Sequence, residues 1–207
     1  MKKTNIKFAL LALLIISVPL IFANTLNNES AATSDSDFSS SSTTTTDHVA
    51  FNQMMDVLTH KRCMNCHPSG DRPRQGEDSH IHYFEVRRGP DNHGVAALQC
   101  ESCHQSTNNL YSGVPGAPHW GLAPISMAWE GLTRVEIARS MMNPKNNGGK
   151  NLAAIVKHLT EDDLVLWAWE PGVDDEGVPR EKPPVSKEDF IAAVKAWAEA
   201  GAVIPSE

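Results

Sequence analysis

Apolar and polar positions change regime several times along the chain. From Phe8 to Phe22 nearly every residue is apolar, behind Lys2, Lys3 and Lys7 and with Pro19 near the end. Residues 24–47 are rich in Ser, Thr and Asn and carry almost no bulky apolar side chain. A helical period then sets in: Phe51, Met54, Met55 and Leu58 share one face of a helix predicted to be capped by Asp47. The period vanishes between Cys66 and Pro124, where Gly, Pro, Asp and Asn dominate. It returns at Thr133 and Glu136, which stand at capping-box spacing before a helix that Asn143-Pro144 ends. Asn151 to Leu159 reads as a short helix after the turn-rich "NPKNNGGK". Ser186 and Asp189 open a last helix, with Phe190, Val194 and Trp197 along its buried stripe and Gly201 as its stop. The expected fold class is therefore mainly α, with short helices around long loops. So long an irregular stretch is unusual in a compact domain, and something besides side chains must fill it.

The first two regimes set the domain boundaries. The run ending at Phe22 is short against the about 20 apolar residues of a bilayer crossing, and Ala23 is a small residue before a cleavage point. Residues 1–23 thus read as a secretory signal peptide. Ile21 fits poorly two places before the cut, so retention as an uncleaved anchor is the alternative. Either way the remainder is exported, to the periplasm in a bacterium. Residues 24–47 cannot bury enough surface to offset their ordering entropy and read as a flexible leader. It would serve as a tether to the membrane or as a plain spacer. Residues 48–207 have the length of one domain.

Charge narrows the partners. The chain has 25 acidic and 18 basic residues, a net charge of −7. Setting aside the three lysines of the signal leaves 15 basic residues and a balance of −10. Nucleic acid, which needs a basic surface, is excluded. A basic face on a redox partner would be steered towards such a surface.

The irregular stretch holds the chemistry. All four cysteines lie in two copies of one pattern, "CMNCH" with Cys63, Cys66 and His67, and "CESCH" with Cys100, Cys103 and His104. A thioredoxin-like pair needs only two thiols and prefers the end of a strand. A four-cysteine zinc site needs neither histidine, and its pairs usually stand closer together. Covalent haem uses every position: two thiols form thioethers and the following imidazole takes the iron. The sequence therefore predicts two haem c groups, with His67 and His104 as proximal ligands.

Distal ligands follow from an internal repeat. A shift of 37 residues lays the second motif on the first, and also Gly113 on Gly76, His119 on His82 and Trp120 on Tyr83. His82 or His80 is expected distal to the first haem, both lying on one face if "SHIHY" is extended. His119 or Met127, the latter in a Pro-flanked loop, is expected distal to the second. Two imidazoles would give a low potential and a methionine a higher one. His48, His60 and His158 read as surface residues and His93 as a turn residue. Trp129, Trp167 and Trp169 are expected to wall the haems or pack the core, and Arg87 and Arg88 are candidates to pair with propionates.

The runs "CMNCHPSGDRPRQGEDSHIH", "RRGPDNHGVAALQCESCHQ", "VPGAPHWGLAPISMAWEGLT", "NPKNNGGKNLAAIVKHL" and "LVLWAWEPG" resemble small bacterial di-haem c-type cytochromes labelled isoquinoline 1-oxidoreductase subunits. The likeness covers about His60 to Ile204. It implies a cytochrome c-like di-haem domain that accepts electrons from a molybdenum hydroxylase acting on aldehydes or N-heterocycles. The chain has no molybdopterin or iron–sulfur pattern, so that chemistry would belong to the partner. The alternative is a small di-haem enzyme, peroxidase-like or acting on sulfur compounds. Di-haem peroxidases resemble fusions of two full cytochrome domains, and thiosulfate enzymes use a cysteine as axial ligand, for which none is left here. A haem-based gas sensor is a third class, without an attached signalling segment.

Overall fold

Two helices from opposite ends of the domain carry the deepest apolar faces, and they pack on each other. In the computed structural model, which describes residues 40–206, α1 (Ser40–Leu58) lies chiefly against α6 (Lys187–Glu199). Met54, Met55, Leu58, Phe190, Val194 and Trp197 are all buried there. Burying side chains such as Met54, Met55, Leu58 and Phe190 contributes roughly 1.5–3 kcal/mol each. The Trp197 indole donates to Val203 O at 2.9 Å, which leaves no polar atom of that ring unpaired in the core.

Helices α3 (Arg134–Met142) and α4 (Leu152–Glu161) add Ile137, Met141, Ile155 and Leu159 to the same core, and Leu166 of α5 (Asp163–Leu166) packs against it. The caps expected at Thr133 and Ser186 form, and Asn151, expected inside its helix, is a cap as well. Thr133 accepts from Glu136 N while Glu136 returns a bond to Thr133 N, and Asn151 and Ser186 cap α4 and α6. Gly201, at φ +87°, ends the α6 segment. The start of α1 differs from expectation: the helix begins at Ser40, so Asp47 lies inside it and the last residues of the expected leader are helical. The signal or anchor at residues 1–23, and the leader as far as residue 39, lie outside the described residues. No helix among the described residues is long and apolar enough to cross a membrane.

The fold is mainly α, and the long stretch between Cys66 and Pro124 is held by two small antiparallel ribbons. They pair β1 (Arg74–Gln75) with β2 (His80–Ile81), and β3 (Gly94–Val95) with β4 (Leu98–Gln99). Two buried arginines act as staples. Arg62 donates to Glu181 O at 2.8 Å and to the Glu77 carboxylate. Arg88 donates to Pro68 O, Gly70 O, Ala123 O and Asn92 Oδ1, tying three loops together. A buried charge is tolerated when such acceptors surround it. The propionate role expected of Arg88 is thus displaced by loop carbonyls, and Arg87 pairs instead with Asp71 at 3.0 Å.

Candidate functional site

Each cysteine motif forms one tight turn that gathers its three functional side chains. The first sits on α2 (Lys61–Met64), whose N-cap His60 accepts from Arg62 N. Cys66 N bonds to Cys63 O at 3.1 Å and His67 N to Met64 O at 3.0 Å. Cys63, Cys66 and His67 then stand at i, i+3 and i+4, the spacing that shares one helical face. In the second motif Cys103 N and His104 N both bond to Cys100 O, at 3.2 and 2.9 Å. Both are single turns, but His67 N bonds three residues back and His104 N four.

The two histidines are held alike. His67 Nδ1 lies 2.6 Å from Met127 O, and its ring stacks on the buried Trp129 indole at 3.6 Å between centroids. His104 Nδ1 lies 2.7 Å from Pro115 O, and its ring stacks on Trp120 at 4.6 Å. With the carbonyl fixing the proton on Nδ1, the Nε2 lone pair of each ring is available to a metal. The supporting segments are tied down in turn. Residues 123–130 wrap the first motif through Ala123 N to Cys66 O and Trp129 N to His67 O. At the second motif a Cβ on Gly116 would come within 2.3 Å of Gln105 O and Thr107 O, so only glycine lets the Pro115 carbonyl approach. Trp167 meets Trp120 edge-on and donates to Asn108 Oδ1 at 2.8 Å.

A third imidazole faces His104. The His82 ring centroid lies 6.0 Å from that of His104, at 70° between planes, and His82 Nδ1 is engaged by Tyr83 O at 2.8 Å. A 6.0 Å span is about that of two metal–imidazole bonds of about 2 Å each plus the two ring radii. Around the first motif is a cavity of about 360 Å³, lined by Cys63, Cys66, His67, Met127, Trp129, His93, His119 and His158 among others.

Electrostatics make the site neutral. Burial pushes the Cys63 thiol up to about 12 and the Cys66 thiol up to about 11, and neighbouring Cys100 adds to the latter. Burial also raises Cys100. A reactive redox cysteine needs the opposite shift, towards thiolate. Burial lowers His67 to about 4, against a raising bond to Met127 O, with the charges of His158 and Arg88 also lowering it. His104 is lowered by burial first, and His82 lowers it further. Both imidazoles are thus neutral near pH 7, as a ligand must be. Among the described residues no three His, Cys, Asp or Glu side chains converge on one point. Two thiols and one idle imidazole nitrogen per motif do fit a covalently held haem.

The expected distal residues sit on the other sides. His82 faces the second motif rather than the first, and His119 and Met127 lie by the first rather than the second. The chain crosses between motifs, which the repeat alone did not convey. Met127 supports proximal His67 through its carbonyl, while its sulfur lies 4.0 Å from Ser140 Oγ. His80 turns to Asp78 at 2.5 Å, and its buried Nε2 has no partner. His60 is a helix cap bonded to Glu181 rather than a surface residue. Trp169 packs on Phe190 in the core. His158, expected as a surface residue, is exposed, and its Nδ1 lies 3.0 Å from Asp162 Oδ2 one turn along α4, a His–Asp pair visible in the sequence at i,i+4. Compared with known proteins, the chain matches no family model, no curated protein and no solved structure.

Proposed function

We propose that this chain is a periplasmic di-haem c-type cytochrome that passes electrons, with a cytochrome c-like wrapping of loops and helices around two haem c groups. Cys63, Cys66 and His67 would hold one haem, and Cys100, Cys103 and His104 the other. The observation that carries the reading is the second motif: a proximal imidazole with Nδ1 committed to a carbonyl, and a further imidazole, His82, 6.0 Å across from it. That donor set suits a six-coordinate iron better than zinc or a disulfide. Bound haem supplies reversible one-electron chemistry.

The chain's own residues supply the rest. Carbonyls of Met127 and Pro115 orient the proximal rings, and the Trp129 and Trp120 indoles pack against them and exclude water. Cys66 and Cys100 lie near enough for the charge of one to act on the other. The two motifs are therefore neighbours, which favours electron passage through the domain. A partner that produces electrons, such as a molybdenum hydroxylase oxidising an aldehyde or N-heterocycle, is the donor the sequence resemblance implies.

The test is intact-mass spectrometry of the exported protein from a host that matures c-type cytochromes. Two covalent haem additions are expected on a single chain. One addition, none, or bound zinc overturns the reading. Mixing the oxidised protein with the hydroxylase and its substrate should then reduce the haem bands only when both partners are present.

A further inference from the structure

We propose that His158 is the distal ligand of the first site, and that Asp162 is the positioning residue that aims it. The inference rests on the di-haem reading and names a residue that the repeat does not. Three histidines besides His67 line the cavity at the first motif: His93, His119 and His158. Position separates them. All three are exposed, but His158 sits on α4 next to the buried Ile155 and Leu159, whereas His93 and His119 lie on loops.

Orientation points the same way. Asp162 Oδ1 accepts from Leu164 N at 2.9 Å as the N-cap of α5, which fixes the carboxylate. Its Oδ2 takes His158 Nδ1 at 3.0 Å, leaving Nε2 free. A ligating histidine ordinarily has its second nitrogen tied to a carboxylate or carbonyl in this way, which fixes the tautomer and raises the basicity of the other nitrogen. His119 has no such tie. His93 Nδ1 is tied too, to the Trp120 carbonyl at 3.1 Å, but from a loop rather than a helix and to the segment that holds the second site.

Haem content and near-infrared magnetic circular dichroism, measured together, test this on the mature protein. Wild-type protein is expected to hold two haems, both low-spin with His/His ligation. His158→Ala should retain two covalent haems with one low-spin signal lost, while His93→Ala and His119→Ala should keep both. Where His158→Ala fails to accumulate, His158→Met serves instead: one site should change to a His/Met band and a higher potential. Asp162→Asn should keep both sites six-coordinate and raise one reduction potential while leaving the other unmoved. Two unchanged His/His signals in the His158 variants, or loss of one in the His93 or His119 variant, overturns the assignment. Unmoved potentials in Asp162→Asn overturn the positioning role. Absence of haem from wild-type protein is a separate result, and it would sink the di-haem reading itself.

Discussion

An imidazole can give one nitrogen to a metal only if the other nitrogen is stably placed. His67, His104 and His82 each have Nδ1 against a main-chain carbonyl, at 2.6, 2.7 and 2.8 Å. The proximal pair was legible because each cysteine motif names its own histidine within five consecutive residues. The distal side was not, because it depends on how loops cross in space, and a repeat carries no information about that. His82, expected beside the first motif, lies beside the second. Replacing it by Ala should open one axial position at the second site. We expect two haems by mass, about half of the reduced absorbance shifting on carbon monoxide addition, and no comparable shift in wild-type protein. Retention of two closed sites in His82→Ala would remove His82 from the ligand set.

Among the elements, the helices were readable where local chemistry decides them and less so where packing does. The capping box at Thr133 and Glu136, the Ser186 cap and the stripe Phe190, Val194, Trp197 all appear as the sequence implied, and Asn151 caps the helix it was expected to begin. The start of α1 did not, since Ser40 to Asp47 shows no helical period of its own. The ribbons are too short, at two residues per strand, to leave an alternating pattern. Gly76 and Gly113 share a positive φ, +77° and +69°, but His119 takes φ +58° where its repeat partner His82 does not, so the repeat does not carry through the backbone. At this scale the capping box gives a clean test. Thr133→Ala should cost about 1 kcal/mol by chemical denaturation, with haem content and spectra unchanged. An equal stability would mean that α3 is held by packing of Ile137, Ala138 and Met141 alone.

The molecule as a whole is asymmetric, and under the proposed function that asymmetry sets where electrons would enter. Cys63 packs against the helical core, whereas Cys103 is exposed and Tyr111, Leu110, Phe84 and Tyr83 stand out into solvent. Glu101 lies within this exposed motif, and Asp174 and Asp175 approach the nearby Gly113, whose carbonyl the Arg180 guanidinium also reaches. With the net charge also negative, small redox reagents should feel the difference. Hexaammineruthenium, a cation, should exchange electrons with the protein faster at low ionic strength and slow as salt is added. Ferricyanide, an anion, should speed up. The Debye length falls from about 30 Å at 0.01 M to about 10 Å at 0.1 M, so stopped-flow traces across that range should separate the two reagents. A basic partner would follow the cation, because complementary charge acts mainly on the association rate. Parallel salt dependence for both reagents would show that the acidic surface does not guide entry and serves solubility alone.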